Sequence, residues 1–266
     1  MHGTLDEATL GQLNVIELTR EDTRWQQPYE IVERDGILLF AGSSDFPGFC
    51  NGVRRIDDAV PGAAVVEAAL EFFGARGRGF SLWSRTLPVD DDLLAAAEAA
   101  GIAVFGDAPQ MICRQRVEER ELPVGVTIEL IHDRDDVEHF ARICGESYAV
   151  YGAPADATAS HFNGPNALVG PNVRAAIARL DGTPVGAALV HSSHGVAGVY
   201  WVAVQEVARG RGIAFAITQY VTNLGFDLGA ANVQLQASTM GEPVYRRMGY
   251  EEMYRTRLHI GMPTAP

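Results

Sequence analysis

Apolar residues along the N-terminal half fall into short runs that predict strands, and two further stretches predict helices. Val65, Val66, Ala69, Leu70 and Phe73 share one face of a predicted helix. A second, alanine-rich helix is predicted from a cap at Asp90 to Ala100, ending at Gly101. The short apolar runs predict strands at 37–40, 49–56, 80–83, 102–105 and 111–117.

The C-terminal half repeats this alternation. Asp133 or Asp135 begins a predicted helix, and a second apolar stripe follows the turn at 209–212. Asp181-Gly182 predicts a hairpin. The segment 148–171 is expected to be a loop with at most one short helix, of a length that is often functional. Strands are predicted at 126–130, 173–180, 185–190, 196–204, 233–237 and 250–260, with a short helix at 241–248.

A charged run at 118–123, ending in Pro123, is typical of a linker. We therefore predict one domain over residues 1–120 and another over 124–266, in a chain long enough for one or two domains. The order of elements in the C-terminal half predicts the α/β class, an α+β or mixed α/β arrangement with one central sheet.

Charge and composition narrow the function. The net charge of −13 argues against nucleic acid as a partner and mildly favours cationic substrates. No apolar run is long enough to span a bilayer, and no secretory signal is evident at the N-terminus. Three widely spaced cysteines predict reduced thiols in a cytoplasmic protein rather than disulfides. His191 and His194 lie close together, but strand alternation and a turn argue against a metal site, so no metal is expected.

The sequence Arg209-Gly210-Arg211-Gly212-Ile213-Ala214 lies between an apolar strand and a helix. A glycine turn that opens a helix lets backbone N–H groups close on a phosphate, where the helix dipole is positive. The chain lacks the GxxxxGK[ST] sequence of nucleotide-binding loops, and the turn lacks the GxGxxG pattern of dinucleotide-binding folds.

This turn resembles the acyl-CoA signature R/Q-x-x-G-x-G/A of the GNAT superfamily of N-acyltransferases, with Arg209, Gly212 and Ala214 at the defining positions. The segment 236–250, which ends Y-x-x-x-G-Y from Tyr245, resembles the later strand-to-helix segment of that superfamily. The resemblance covers about 126–260. It implies a complete C-terminal domain that uses acetyl-CoA as co-substrate and no metal.

The resemblance also implies residue roles. Backbone groups of Val202 and Val204 would hold the thioester and pantetheine arm, and Tyr245 would protonate the departing thiolate. N–H groups from Gly210 to Ala214 would bind the pyrophosphate. The expected cofactor contacts are Val202, Ala203, Val204, Arg209, Gly210, Arg211, Gly212, Ile213, Ala214 and Ser238. Physical chemistry agrees, because glycines admit close backbone approach, arginines attract phosphate and a fixed N–H stabilises an oxyanion.

The general base is not evident from the sequence. Glu206, just after the motif strand, and Glu146, at the end of a predicted helix, are candidates, with His139 a weaker one. A water chain is an alternative.

The N-terminal half is expected to be a degenerate GNAT-like copy. The string Arg76-Gly77-Arg78-Gly79 repeats the motif letters but follows a helix instead of preceding one, so we interpret it as a helix stop. The turn before the Pro61 helix carries Asp57 and Asp58, which would cap that helix and repel pyrophosphate. An unrelated small α/β domain is the alternative.

The favoured hypothesis is an acetyl-CoA-dependent N-acetyltransferase. Direct attack by a primary amine in a ternary complex would transfer the acetyl group. The acceptor would be a small molecule bound between the halves, with a protein amine as competitor, and the protein would be a monomer or homodimer. A non-catalytic acyl-CoA-binding or regulatory protein is the alternative function. A binder of nucleotides or phosphate metabolites is weaker.

Overall fold

The computed structural model describes residues 5–262, so the outer ends of both predicted domains lie outside the described residues. It contains seven α-helices and eleven strands within that range. The helices are α1 Glu7–Thr23, α2 Gly62–Gly74, α3 Asp91–Ala99, α4 Arg134–Tyr148, α5 Ala155–Ser160, α6 Ile213–Asp227 and α7 Glu242–Arg247. The strands are β1 Glu30–Arg34, β2 Ile37–Ala41, β3 Asn51–Arg55, β4 Phe80–Arg85, β5 Ala103–Cys113, β6 Val126–Leu130, β7 Val173–Leu180, β8 Thr183–Ser193, β9 Val196–Val204, β10 Val233–Gln236 and β11 Glu251–Gly261.

All eleven strands form one mixed sheet, in the order β1-β2-β3-β4-β11-β5-β10-β9-β8-β7-β6. The β3–β4 and β9–β10 pairs are parallel, and every other neighbouring pair is antiparallel. Each parallel pair is joined through a helix, α2 or α6, as parallel pairing requires. The predicted α/β class with a mixed sheet is confirmed.

The two halves exchange their last strands at the centre of the sheet. β11, from the C-terminal end of the chain, pairs with β4 of the N-terminal half, while β5 pairs with β10 of the C-terminal half. β5 and β11 then pair with each other along most of their length. The segment β3-α2-β4-α3-β5 therefore corresponds in order to β9-α6-β10-α7-β11.

Three apolar clusters form the core. One packs α6 and α7 against the C-terminal strands, and a second packs α4 and part of α1 against the opposite face. The third joins α2 and α3 to the N-terminal strands. Because α1 contacts β8 and β9, an N-terminal helix covers part of the C-terminal half.

Several local predictions need correction. The two strands predicted at 102–105 and 111–117 form the single strand β5. Helix α1 and strand β1 were not predicted. Asp90 precedes α3, but its carboxylate binds Arg55 and Arg85 instead of capping the helix.

Candidate active site

The glycine turn has the predicted strand–turn–helix setting. β9 ends at Val204, a single 3-10 turn follows, and α6 begins at Ile213. Gly210 and Gly212 have φ values of 75° and 79°, a region that favours glycine. Gly212 precedes α6 with no side-chain cap. The first N–H groups of the helix therefore lack a capping side chain and can face an anion.

The two arginines of the turn differ in setting. Arg211 is exposed, whereas Arg209 is half-buried and its Nε donates a hydrogen bond to Val204 O at 3.2 Å. Ile213 is buried beneath the turn, and Ala214 is partly buried. The hydrogen bond from Arg209 ties the turn to the end of β9.

A β-bulge interrupts β9 just before this turn. Ala203 pairs with Ala187 and Tyr200 with Leu189, so two residues of β9 face one residue of β8. Trp201, in the bulge, has a φ of 54°, which costs energy for a residue with a side chain. Neither Trp201 nor Val202 has a partner in the β8 or β10 register. The bulge therefore leaves the backbone N–H and C=O groups of Trp201 and Val202 outside the pairing of the sheet, where they can make other contacts.

β9 and β10 diverge next to the bulge. They pair only at Ala197 with Val233 and at Gly198 with Gln234. Beyond these pairs lies a cavity of about 450 Å³, lined by residues of both halves. Val202, Ser238 and Tyr245 line its C-terminal side, which brings together three predicted site residues. The cavity is large enough for a small acceptor beside a thioester.

Tyr245 lies on α7 and is 7% exposed. Burial raises the pKa of its phenol well above the usual value, so the hydroxyl keeps its proton at neutral pH. Ser238 supports the start of α7, since its Oγ accepts a hydrogen bond from Gly241 N at 3.1 Å. A protonated phenol thus faces the cavity from a fixed helix.

The predicted bases lie elsewhere. Glu206 is exposed in the turn after β9. Glu146, near the end of α4, accepts a hydrogen bond from Gln205 and lies 3.4 Å from Arg142 Nη1. His139 is half-buried on α4. None of the three is among the cavity-lining residues, so the structure does not bring them to Tyr245.

Sequence reasoning missed the charged residues that the N-terminal half contributes to the cavity. Asp22 comes from α1, Arg54 from β3 and Arg85 from β4. The weak apolar periodicity of α1 hid Asp22, and Arg54 lies in a short strand with an ordinary pattern. Only the placement of α1 against β9 could have revealed Asp22.

The corresponding turn of the N-terminal half is occupied by the protein's own carboxylate. The N–H of Gly62, at the start of α2, donates to Asp92 Oδ2 at 2.6 Å. Asp57 and Asp58 do not cap α2, contrary to prediction, because Asp57 accepts from Ala59 N and Asp58 pairs with Arg85. The sequence 76–79 lies between α2 and β4, as predicted.

His191 and His194 do not converge on one point. His191 Nε2 lies 3.3 Å from a Glu21 oxygen, and His194 Nε2 lies 3.6 Å from a Glu17 oxygen. Across residues 5–262, no three His, Cys, Asp or Glu side chains are grouped as a metal site would need. Within the same range, no helix has the length and hydropathy to cross a bilayer.

Comparison with known proteins gives a family match for part of the chain and a shared fold for nearly all of it. Residues 138–250 match the model of the acetyltransferase (GNAT) family. A GCN5-related N-acetyltransferase from Kribbella flavida is similar over 98% of both chains, with a TM-score of 0.70 and 21% identity. A tandem GNAT protein from the clavulanic acid biosynthesis pathway covers 98% of this chain and 97% of its own, with a TM-score of 0.64 and 15% identity. No curated protein matches the chain.

Proposed function

We propose, on the premise that residues 138–250 form a GNAT-family domain, that the protein is an acetyl-CoA-dependent N-acetyltransferase acting on a primary amine. The observation that carries the proposal is the bulge at Trp201, which opens β9 away from β10 beside the buried phenol of Tyr245. A binding turn for the cofactor lies at the end of the same strand.

The donor would lie along β9 and end at the glycine turn. N–H groups from Gly210 to Ala214 would bind the pyrophosphate, with Arg209 and Arg211 adding positive charge. The 202–204 backbone would hold the pantetheine arm and thioester, and Ser238 would line the opposite wall. The absence of a Val202 strand partner supports this placement.

The reaction would proceed by direct attack. The amine lone pair forms a C–N bond with the thioester carbonyl carbon, and the Val202 N–H stabilises charge on the carbonyl oxygen. The C–S bond then breaks, and the Tyr245 hydroxyl gives its proton to the CoA sulfur. Because burial raises the pKa of Tyr245, its hydroxyl carries the proton that this transfer requires at neutral pH. The newly acylated nitrogen loses its extra proton, which restores the Tyr245 hydroxyl.

The incoming ammonium must also lose a proton. Glu206 and Glu146 remain candidate bases only through a water relay, because neither lines the cavity. The net change is one ammonium and one thioester converted to one amide, one thiol and one released proton.

The acceptor would be a small molecule bound between the halves, and no nucleic acid partner is proposed. The second half would take the place that a partner subunit could fill, so we propose a monomer, with a homodimer as the alternative. Acetyl-CoA supply and the three free, buried cysteines favour a cytoplasmic location.

Thiol release from acetyl-CoA in the presence of an amine panel tests this function. We expect Tyr245→Phe to lower kcat about 100-fold, the usual scale for a general acid, without changing CoA affinity. Tyr29→Phe, on an exposed tyrosine outside the cavity, is the matched control. Unchanged turnover in Tyr245→Phe would refute the acid role.

A non-catalytic acyl-CoA-binding protein is the second candidate, favoured by the absence of Glu206 and Glu146 from the cavity lining. It predicts that acetyl-CoA binds without thiol release for any amine tested.

A further inference from the structure

Arg54 places a guanidinium in the cavity wall opposite the C-terminal half. Its Nε donates a hydrogen bond to Thr19 Oγ1 at 2.8 Å, and its Cζ lies 4.1 Å from the centre of the Trp83 ring. These two contacts hold the planar group in one orientation. The side chain is therefore positioned from α1 and β4 together.

The outer edge of this guanidinium has no protein partner. Within residues 5–262, neither terminal nitrogen of Arg54 forms a hydrogen bond or an ion pair with another side chain or the backbone. The neighbouring Arg55 is bound by Asp90 and Asp92, and Arg85, also in the cavity wall, is bound by Asp58 and Asp90. Arg54 is thus a cation whose free donors face the cavity.

Burial makes this arrangement costly without an anion. Removal from water lowers the pKa of Arg54 to about 10, although the charge of nearby Asp22 acts in the opposite direction. A carboxylate offers two oxygens in the geometry of the guanidinium edge and would offset that cost.

Asp22 supplies the complementary charge. It is the one acidic side chain among the described residues that line the cavity. Its Oδ2 lies 3.6 Å from Nε2 of His161, whose ring is fully buried and whose two nitrogens have no hydrogen-bond partner in the described range. Asp22 and Arg54 are more than 4 Å apart, since they form no ion pair.

We propose that the acceptor is an amino acid or a related amino carboxylate, with its carboxylate bound by Arg54 and its ammonium facing Asp22. This inference rests on the proposed acetyl transfer and specifies its substrate class. One unpaired cation and one carboxylate in the same cavity match a zwitterion better than a simple amine or polyamine. The aromatic residues Phe49, Trp83 and Trp201 in the wall leave apolar surface for a side chain.

Matched acceptor pairs test the proposal. Each of the twenty common amino acids is compared with its decarboxylated amine for binding to the CoA complex and for kcat/KM of thiol release. We expect at least one amino acid to be preferred over its own amine by about 10- to 100-fold, the scale of hydrogen bonds between charged groups. Equal or better use of the amine in every pair overturns the proposal.

Variants of Arg54 test whether its guanidinium causes the preference for the amino acid over its amine. Arg54→Met should reduce the preference for the amino acid over its own amine to about one, because the carboxylate loses its binding partner. Arg54→Lys should keep part of it, because the charge stays but the planar edge is lost. Arg34→Met, on an exposed arginine of β1 outside this cavity, is the control and should keep the full preference.

Asp22→Asn tests the contact with the acceptor ammonium independently of the contact with the carboxylate. It should lower kcat/KM for amino acid and amine alike, by about tenfold, because both carry the ammonium. No change for either would overturn the Asp22 part of the proposal. If the intact protein binds acetyl-CoA and acetylates amines but neither binds nor acetylates any amino acid, the proposed function stands and this substrate class is wrong. If the protein neither binds nor acetylates any amino acid or amine, both the proposed acetyl transfer and the proposed substrate class are wrong.

Discussion

Gly212 joins the turn to α6 in a backbone conformation that disfavours any residue with a Cβ. Its φ is 79°, and an added Cβ would meet only Pro123 Cγ, at an ordinary 3.4 Å. Substitution therefore acts through the backbone rather than through a clash. Any stability lost on substitution of Gly212 would therefore reflect the cost of its backbone conformation, and not a steric clash.

Gly212→Ala should lower the free energy of unfolding by about 1 kcal/mol and weaken acetyl-CoA binding. Gly182→Ala is a matched control, because Gly182 has a φ of 81° in the β7–β8 hairpin and open space around it. Both should lose similar stability in chemical denaturation, but calorimetry should show weaker cofactor binding only for Gly212→Ala. Equal cofactor affinity in the two variants would contradict a pyrophosphate role for the turn.

Tyr245 also predicts a pH dependence. Because burial raises the pKa of the phenol, its acidic form persists as the pH rises through 9 and 10. The profile of kcat against pH should therefore show no alkaline fall caused by Tyr245 below pH 10. A fall in kcat near pH 9 that Tyr245→Phe removes would contradict the raised pKa of Tyr245.

A buried ion cluster links the ends of β3 and β4 to the start of α3. Asp90 is 3% exposed and binds both Arg55 and Arg85. Burial alone would raise the pKa of Asp90, but hydrogen bonds from Arg85 and Arg55 outweigh it and hold the pKa below its usual value. Its charge therefore contributes stability above about pH 4, which is lost as the pH falls through the lowered pKa.

Asp90→Asn should cost about 3 kcal/mol of unfolding free energy at pH 7, because it leaves buried arginines undercompensated. The difference from the intact protein should shrink in denaturation experiments below pH 4. Arg34→Gln, which breaks an exposed pair with Glu71, should cost less than about 1 kcal/mol. If Asp90→Asn lowered the free energy of unfolding no more than Arg34→Gln does, the buried cluster would contribute little to stability.

Elements with strong apolar periodicity could be predicted from the sequence, and those determined by distant contacts could not. The glycine turn and α6 follow from local rules. In α1, the buried positions include Asn14, Thr19 and Thr23, so no apolar stripe marks the helix. Asn14 is accommodated because its Nδ2 donates to His191 O and Ser193 Oγ across the sheet. The bulge at Trp201 is equally hidden, since the β9 sequence has the pattern of an ordinary strand.

The exchanged strands make the two halves of the protein interdependent. β11 lies between β4 and β5, although about 140 residues of chain separate it from β5. No local pattern predicts such a pairing, because β5 and β11 would also fit the edge of their own half. The proposed domain boundary after residue 120 therefore divides the chain but not the sheet.

Fragments 1–121 and 122–266 should each be unstable when produced alone, because each leaves strand edges exposed at the centre of the sheet. Produced together, they should assemble into a complex that melts cooperatively. Circular dichroism and size-exclusion chromatography check both statements. A cooperative transition in either isolated fragment would show that the half folds without its partner's strand.

The proposed acetyl transfer depends on binding of the donor by the β9 end and the 209–214 turn. Calorimetric titration of acetyl-CoA into the intact protein and into the Arg209→Ala/Arg211→Ala double variant measures that binding. We expect micromolar binding by the intact protein and clearly weaker binding by the variant, because two cations near the pyrophosphate are removed. If the intact protein bound neither CoA nor acetyl-CoA, the turn would not be a pyrophosphate site and the proposed function would be wrong.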